Sequence, residues 1–237
     1  MRWVRDTTGR FPERPHFDRD EIDETCEALV AKFLRGTHGH VEFPLSTNDL
    51  TILVKAHTGD LDVYADLSSE GQDVEGMTEF FVDRKPSVQI SSILSEDPRR
   101  QNRFRTTVTH ELGHVHFHNS LIATRALPLP LYSEGPALTI RCRRDTIVGA
   151  DKADWMEWQA GYASGATLAP RTYLRTLARD VLGTQFQTQV VGSALGQRLI
   201  HEVKLAFGLS NDAARVRLLQ QELLVSRAPE VSAQRLF

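Results

Sequence analysis

The chain has 237 residues, of which 41% are hydrophobic and 25% charged, and its formal net charge is −3. This balance predicts a well-buried core and does not favour a nucleic-acid coat or a membrane-surface protein. Two cysteines argue against a disulfide framework, and we see neither a signal peptide nor an apolar run of bilayer length. We therefore expect a soluble, cytoplasmic protein.

The first helix is predicted from capping signals. Asp18 fits an N-cap, and Glu21 follows three residues later at the spacing of a capping box. Gly36 is the predicted end of this helix. A second, shorter helix is predicted over residues 46–58.

Three segments then change to strand periodicity. Apolar and polar residues alternate over 60–68, which is typical of a half-buried strand, and 77–82 and 87–91 indicate two more strands. These three strands predict a small, mostly antiparallel sheet. Residues 138–144 indicate a further short strand.

A long helix is predicted next, beginning near Asp97 and Pro98, which suit a cap and a first turn. At 100° per residue, His110 and His114 lie almost opposite its apolar stripe. We therefore expect this helix to pack by one face and to present its histidines on another. The stripe consists of Phe104, Val108, Leu112 and Val115.

This helix contains an HExxH motif. Two histidines four residues apart are neighbours on a helix, so His110 and His114 can bind one ion, while Glu111 can face a water without being a ligand. The alternative is a surface helix that happens to be rich in histidine. His116 and His118 are predicted to lie on the helix surface or beside the ligands, without being ligands themselves.

A catalytic zinc ion needs a third protein ligand and an open position. Glu157 lies in a later predicted helix that is rich in small residues, and small residues let two helices approach closely. Glu157 is therefore either the third ligand or a solvent-exposed side chain, and the residues alone leave both readings open. The small residues are Ala160, Gly161, Ala163, Ser164, Gly165 and Ala166.

The segment "HELGHVHFH", followed by a helix with "EWQA" that closes on "LAP", resembles the ImmA/IrrE family of zinc metallopeptidases. The resemblance covers about residues 60–170. It implies an α+β, zincin-like fold, zinc as cofactor, His110, His114 and Glu157 as ligands, and Glu111 as general base. The chain departs from the family pattern after the third ligand, where Ala-Gly replaces Ala-Asn and "TLAP" replaces "LLMP".

The resemblance also implies a function and partners. Members of this family typically cleave one helix-turn-helix repressor, and single-stranded DNA is one proposed type of activator. We expect a peptidase domain over 1–180 and a small helical region, similar to a helix-turn-helix, over 181–237. A bound peptide is expected to extend the sheet at an exposed edge, for which 87–91 or 77–81 is the candidate strand.

A group of arginines crowds the start of the motif helix, where cations are disfavoured. They either bind a nucleic-acid phosphate or an acidic partner, or they pair with Glu96, Asp97 and other carboxylates. We favour the second interpretation, in which the arginines pair with carboxylates of the chain. The group consists of Arg99, Arg100, Arg103 and Arg105.

Cys142 lies between the two ligand motifs and is flanked by arginines, which would favour its thiolate. A thiolate there would be able to take the open position on zinc as an inhibitory fourth ligand; the alternative is an ordinary cysteine. The group that stabilises the oxyanion is not identified, and Tyr132 and Tyr162 are candidates.

Two rival functions remain. In the first, zinc is structural and the chain inactivates a repressor by holding it. Glu111 argues against this, because a structural site has no need of that carboxylate. In the second, the chain is a DNA-binding regulator built on its C-terminal helix pair. That second helix has few residues suited to reading bases, beyond Arg215, Arg217 and two glutamines.

Overall fold

The computed structural model describes residues 1–71, 73–123, 138–143 and 154–226, and within them the chain is α+β with a small mixed sheet. The α+β class is as predicted. The chain divides into two compact units, Met1–Pro170 and Arg171–Phe237. The expected boundary at residue 180 falls instead inside the helix Arg171–Leu182, which packs against a later helix of the second unit.

The first unit begins with a hairpin and contains the sheet and the motif helix. Its strands are β1 Arg2–Arg5, β2 Glu13–His16, β3 Asp60–Ala65, β4 Val74–Phe80, β5 Ser87–Ser91 and β6 Leu138–Arg143. Its helices are α1 Arg19–His38, α2 Thr47–His57, α3 Ser92–Ser95, α4 Gln101–His118, α5 Ser120–Ala123 and α6 Trp155–Leu168, with 3₁₀ turns at Ser68–Glu70 and Pro98–Arg100.

The predicted start of α1 is confirmed, and its predicted end at Gly36 is wrong. Asp18 and Glu21 form the predicted capping box. The helix continues through Gly36 to His38, because the left-handed conformation that ends it is taken by Gly39, with φ 80°. The Gly39 N–H donates to the carbonyl of Arg35.

The sheet has the order β3-β5-β4-β6. β4 pairs antiparallel with β5 and β6, whereas β3 pairs parallel with β5, so the sheet is mixed. The predicted substrate edges were wrong, since β4 and β5 are both interior. Among the described strands, β6 is the outer one beside β4. It belongs to the segment between the two ligand motifs and pairs with β4.

Helix α4 is buried around almost its whole circumference. The apolar stripe is buried as predicted, yet His110, Glu111 and His114 have no exposed surface either. The prediction of one packed face and one open face was therefore wrong. The reason is that α6 and α2 pack against α4, and strands β4 and β5 also contact it.

The second unit contains the two predicted helices joined by a short turn. Its elements are α7 Arg171–Leu182, α8 Ala194–Phe207, α9 Asn211–Gln220, a 3₁₀ turn at Gly183–Gln185, and strands β7 Gln189–Val190 and β8 Leu224–Val225. α8 ends at Gly208, with φ 61°, and Ser210 caps α9. α9 ends at Gln220, before Glu222 turns the chain with φ 58° and β8 pairs with β7.

Candidate metal centre

Helix α4 presents its motif residues to the interior. His110, Glu111 and His114 are each 0% exposed. The side chains at the two histidine positions point the same way, since four residues are close to one helical turn, and their ring centroids are 4.8 Å apart. Two buried imidazoles with converging nitrogen atoms need a proton or a cation between them.

Helix α6 supplies the third group because it packs very close to α4. A Cβ at Gly113 would be 2.9 Å from Cα of Ala160 and 3.2 Å from Cβ of Ala163, so the glycine permits the contact. Asp154 caps α6 by accepting from the N–H groups of Met156 and Glu157. The small residues therefore act as the sequence predicted, and Glu157 is 6% exposed rather than on the surface.

The three groups converge on one point. Nε2 of His110 and Nε2 of His114 are 3.0 Å apart, and the two carboxylate oxygens of Glu157 lie 3.2 Å and 3.3 Å from them. Ligands at zinc distances of about 2.0–2.1 Å at the corners of a tetrahedron are separated by about 3.3–3.4 Å. His110, His114 and Glu157 therefore form a cluster that can hold a metal ion.

The charges in the cluster also fit a cation. Burial acts to raise the pKa of Glu157, but hydrogen bonds and charge from His110 and His114 outweigh it, and the pKa lies well below its usual range. Burial acts to lower the pKa of His114, but Glu157 and Glu111 outweigh it, and the pKa is raised. A proton held by a carboxylate and imidazoles is what a metal ion replaces when it binds.

Glu111 lies beside the cluster and outside the ligand set. Thr78 of β4 donates its hydroxyl to Oε2 of Glu111 at 2.5 Å, and Oε1 has no hydrogen-bond partner within the described ranges. Burial raises the pKa of Glu111, against the opposing effects of His114, His110 and Thr78. Gly76, two residues before Thr78 on the same face of β4, leaves room for the carboxylate.

The sequence predicted no role for Gly76 and Thr78, nor for Gln159, whose Oε1 lies 3.0 Å from Nε2 of His118. The predicted strand began at Met77, which left Gly76 in a loop. A glycine followed by strand residues is itself a signal for a close approach, and β4 does extend from Val74. Thr78 and Gln159 gave no signal, because their partners are distant in sequence.

His118 lies beside the three ligands, which was one of the two positions predicted for it. Its Nδ1 is 3.0 Å from Nδ1 of His114, and its Nε2 is 3.0 Å from Oε1 of Gln159. Burial and the charge of His114 lower the pKa of His118 well below its usual range. His116 is exposed on the other side of the helix.

Cys142 does not belong to the cluster of three. The prediction of a thiolate was wrong, because burial first and then the carboxylates of Glu111 and Glu157 raise the pKa of the thiol well above its usual range. Side chains alternate along β6, so Arg141 and Arg143 lie on the opposite face, where they pair with Glu70 and Asp73.

Of the two tyrosine candidates, Tyr162 lies away from the cluster. Tyr162 is buried in the core with Ile22 and Phe117, and its hydroxyl donates to Asp23. This contact joins α6 to α1, so Tyr162 has a packing role. Tyr132 lies outside the described residues.

The arginines around the start of α4 pair within the chain, which is the interpretation that the sequence favoured. Arg99 and Arg100 pair with Asp97 at 2.9 Å and 3.4 Å, and Arg103 pairs with Glu75. Arg105 is buried and donates to the carbonyl of Leu45. All four side chains are therefore engaged within the chain.

No protein-family model matches the chain, and no curated protein matches it closely enough to count as a relative. Among the helices of the described ranges, we find none that combines the length and the apolar character needed to cross a bilayer.

Proposed function

We propose that the chain is a zinc-dependent endopeptidase of the ImmA/IrrE type, with His110, His114 and Glu157 as ligands. The observation that carries the proposal is the position of Glu111, a buried carboxylate beside the cluster that is not part of it. Burying an extra carboxylate is costly. A purely structural metal site has no use for a buried carboxylate at that position, whereas a hydrolytic site requires a base there.

Two histidines and one glutamate are a ligand set found in catalytic zinc sites of peptidases. When bound, zinc lowers the pKa of a water molecule and polarises a carbonyl group. The role of Glu111 is to accept the water proton at Oε1, which has no hydrogen-bond partner in the described structure, while Thr78 holds Oε2. Glu111 then delivers the proton to the leaving amine. Burial raises the pKa of Glu111, which favours uptake of a proton by this carboxylate.

The substrate is proposed to bind along β6. Among the described strands, β6 is the outer one on the side of β4, and β4 carries Gly76 and Thr78 next to Glu111. Backbone pairing with an outer strand holds a peptide in extended form. Because the ligands and Glu111 are almost fully buried, a peptide reaches them only after the structure around them opens.

By resemblance, the proposed substrate is a helix-turn-helix repressor, and its cleavage switches on phage-defence, mobile-element or DNA-damage-response genes. This setting is the basis for expecting a cytoplasmic location. Activation by single-stranded DNA stays a prediction. The four arginines around the start of α4 do not support it, since each already has a partner.

The alternatives are a chain that holds a repressor without cutting it and a DNA-binding regulator. The structure weakens the second, because Arg217 and Gln221 of the C-terminal helix pair are buried, at 1% and 5% exposure. Arg215 lies near Asp212 on the same helix. Few residues of α9 are left to read bases.

The experiment is co-expression of the chain with candidate helix-turn-helix repressors from the same genome, neighbouring genes first, with and without DNA damage. The wild type is compared with Glu111→Gln, which keeps the shape of the side chain and removes its basicity. Cleavage by the wild type alone supports the peptidase. A repressor that is bound or inactivated by both chains, and cut by neither, would favour the holding model.

A further inference from the structure

One ligand of the cluster is linked to the N-terminal hairpin by three buried hydrogen bonds. Gln159 Nε2 donates to the carbonyl of Pro15 at 3.2 Å, Gln159 Oε1 lies 3.0 Å from His118 Nε2, and His118 Nδ1 lies 3.0 Å from His114 Nδ1. Gln159 is 1% exposed and both histidines are 0% exposed. We call these four residues the His118 chain.

The direction of every bond in the His118 chain is fixed at its Pro15 end. A backbone carbonyl only accepts, so Gln159 must turn its NH₂ towards Pro15 and its oxygen towards His118. That oxygen also only accepts, so the proton of His118 is on Nε2. Nδ1 of a neutral His118 is then an acceptor, and it faces Nδ1 of His114.

The hydrogen bond between Nδ1 of His118 and Nδ1 of His114 fixes the tautomer of His114. His114 must donate from Nδ1, and this leaves the lone pair of its Nε2 pointing at His110 and Glu157. A ligand histidine needs that tautomer, because only an unprotonated nitrogen binds a metal ion. With the opposite tautomer of His114, and His118 neutral, two acceptors would face each other at 3.0–3.2 Å at one of the three contacts.

We infer that His118 and Gln159 are positioning residues that hold His114 in its metal-binding tautomer and orientation. The inference rests on the proposed metal site. It differs from a packing role, because it depends on one acceptor atom, Nδ1 of His118, rather than on the volume of the ring.

One further contact agrees with this assignment, and His110 provides a contrast. The ring of Trp155 meets that of His118 edge-on, with centroids 5.3 Å apart and planes at 90°, so the imidazole has little freedom to rotate. Nδ1 of His110 has no hydrogen-bond partner in the part of the chain that the structure describes. Within that part, a hydrogen bond fixes the proton on Nδ1 of His114, whereas no hydrogen bond fixes the proton of His110.

The test compares His118→Asn with His118→Leu in the full chain. The two side chains have nearly the same size and shape, but Asn places an oxygen acceptor where Nδ1 stood and Leu places a methyl group there. Zn²⁺ and Co²⁺ affinities are measured by competition with a chelating dye. Thermal unfolding of the metal-free proteins checks that both variants fold.

We expect His118→Leu to bind both ions about 10–100-fold more weakly than the wild type, as for other residues that orient a metal ligand. His118→Asn should stay within about threefold to fivefold of the wild type, because its acceptor restores the bond. Equal weakening in both variants, or no weakening in Leu, overturns the positioning role.

The same titration separates this inference from the proposed function. A wild type that binds no ion through His110, His114 and Glu157 refutes the metal site, and the inference falls with it. A wild type that binds one ion and cleaves its substrate through Glu111, with unchanged affinity in His118→Leu, refutes only the positioning role.

Discussion

Gly76 of β4 lies directly against the carboxylate of Glu111 on α4. A Cβ at position 76 would be 3.0 Å from Cδ of Glu111 and closer still to its Oε1. No side chain larger than hydrogen fits between the strand and this carboxylate without displacing one of them. The glycine thus sets the position of the proposed general base.

Gly76→Ala should therefore reduce catalysis without removing the metal. The added methyl group pushes Glu111 away from its position, and a displaced general base costs about 100-fold or more in cleavage rate. Repressor cleavage and metal content are both measured. Loss of the metal together with activity would show that Gly76 supports the fold of the cluster rather than the base.

Thr78→Val should also weaken catalysis, because it removes the hydroxyl that donates to Oε2 of Glu111 and keeps the shape of the side chain. A hydrogen bond to a charged group contributes about 1.5–3 kcal/mol, so we expect a loss of about 10–100-fold in cleavage rate. Thr78→Ser is the matched control and should retain most of the rate. Equal activity in Val and Ser would show that the bond is unimportant.

Gly113→Ala should destabilise the first unit, because the new Cβ would meet the backbone of Ala160 at 2.9 Å. Overpacking of this kind costs about 1–3 kcal/mol, and any separation of α4 from α6 also moves Glu157 away from the histidines. The free energy of unfolding and the Zn²⁺ affinity should both fall.

Gly36→Ala is the control for this prediction. Gly36 is also helical, but it is exposed and a Cβ there meets nothing within 4 Å. Alanine should stabilise this helix by about 0.5–1 kcal/mol. Stabilisation at both positions would contradict the close packing of α4 on α6.

Asp6 should make the stability of the N-terminal hairpin region depend on pH. Burial acts to raise its pKa, but the hydroxyl and N–H of Thr8, the N–H of Phe11 and the charge of Arg10 outweigh it, and the pKa is lowered. A lowered pKa in the folded state gives stability that is present above the unfolded pKa of about 4 and is lost as pH falls through the folded value.

Asp6→Asn removes this dependence. Urea unfolding should show the variant less stable than the wild type at pH 7, with a smaller difference at pH 3. A difference that stays constant between the two pH values would show that the Asp6 charge has no part in stability.

The sequence predicted the features that depend on local spacing. The capping box of α1, the start of α2 and the proximity of His110 to His114 on α4 each follow from residues within one or two helical turns. The close packing of α6 followed from its small residues. These signals are local, so no knowledge of the fold was needed to find them.

The features that were missed depend on the order of the strands and on distant contacts. Thr78 meets Glu111 across 33 residues, and Gln159 meets His118 across 41. The outer position of β6 depends on its pairing with β4, which spacing does not reveal. The error at Cys142 was avoidable, because alternation along a predicted strand already places Arg141 and Arg143 on the other face.

The most direct test of the metal site is the metal content of four purified proteins after dialysis against a weak chelator: the wild type, Glu111→Gln, His110→Gln and Glu157→Gln. The wild type and Glu111→Gln should each hold about one equivalent of zinc, and the other two should hold almost none, because three protein ligands are needed for tight binding. Loss of zinc from Glu111→Gln, or full retention in Glu157→Gln, would contradict a site in which Glu157 binds the metal and Glu111 stands beside it as the base.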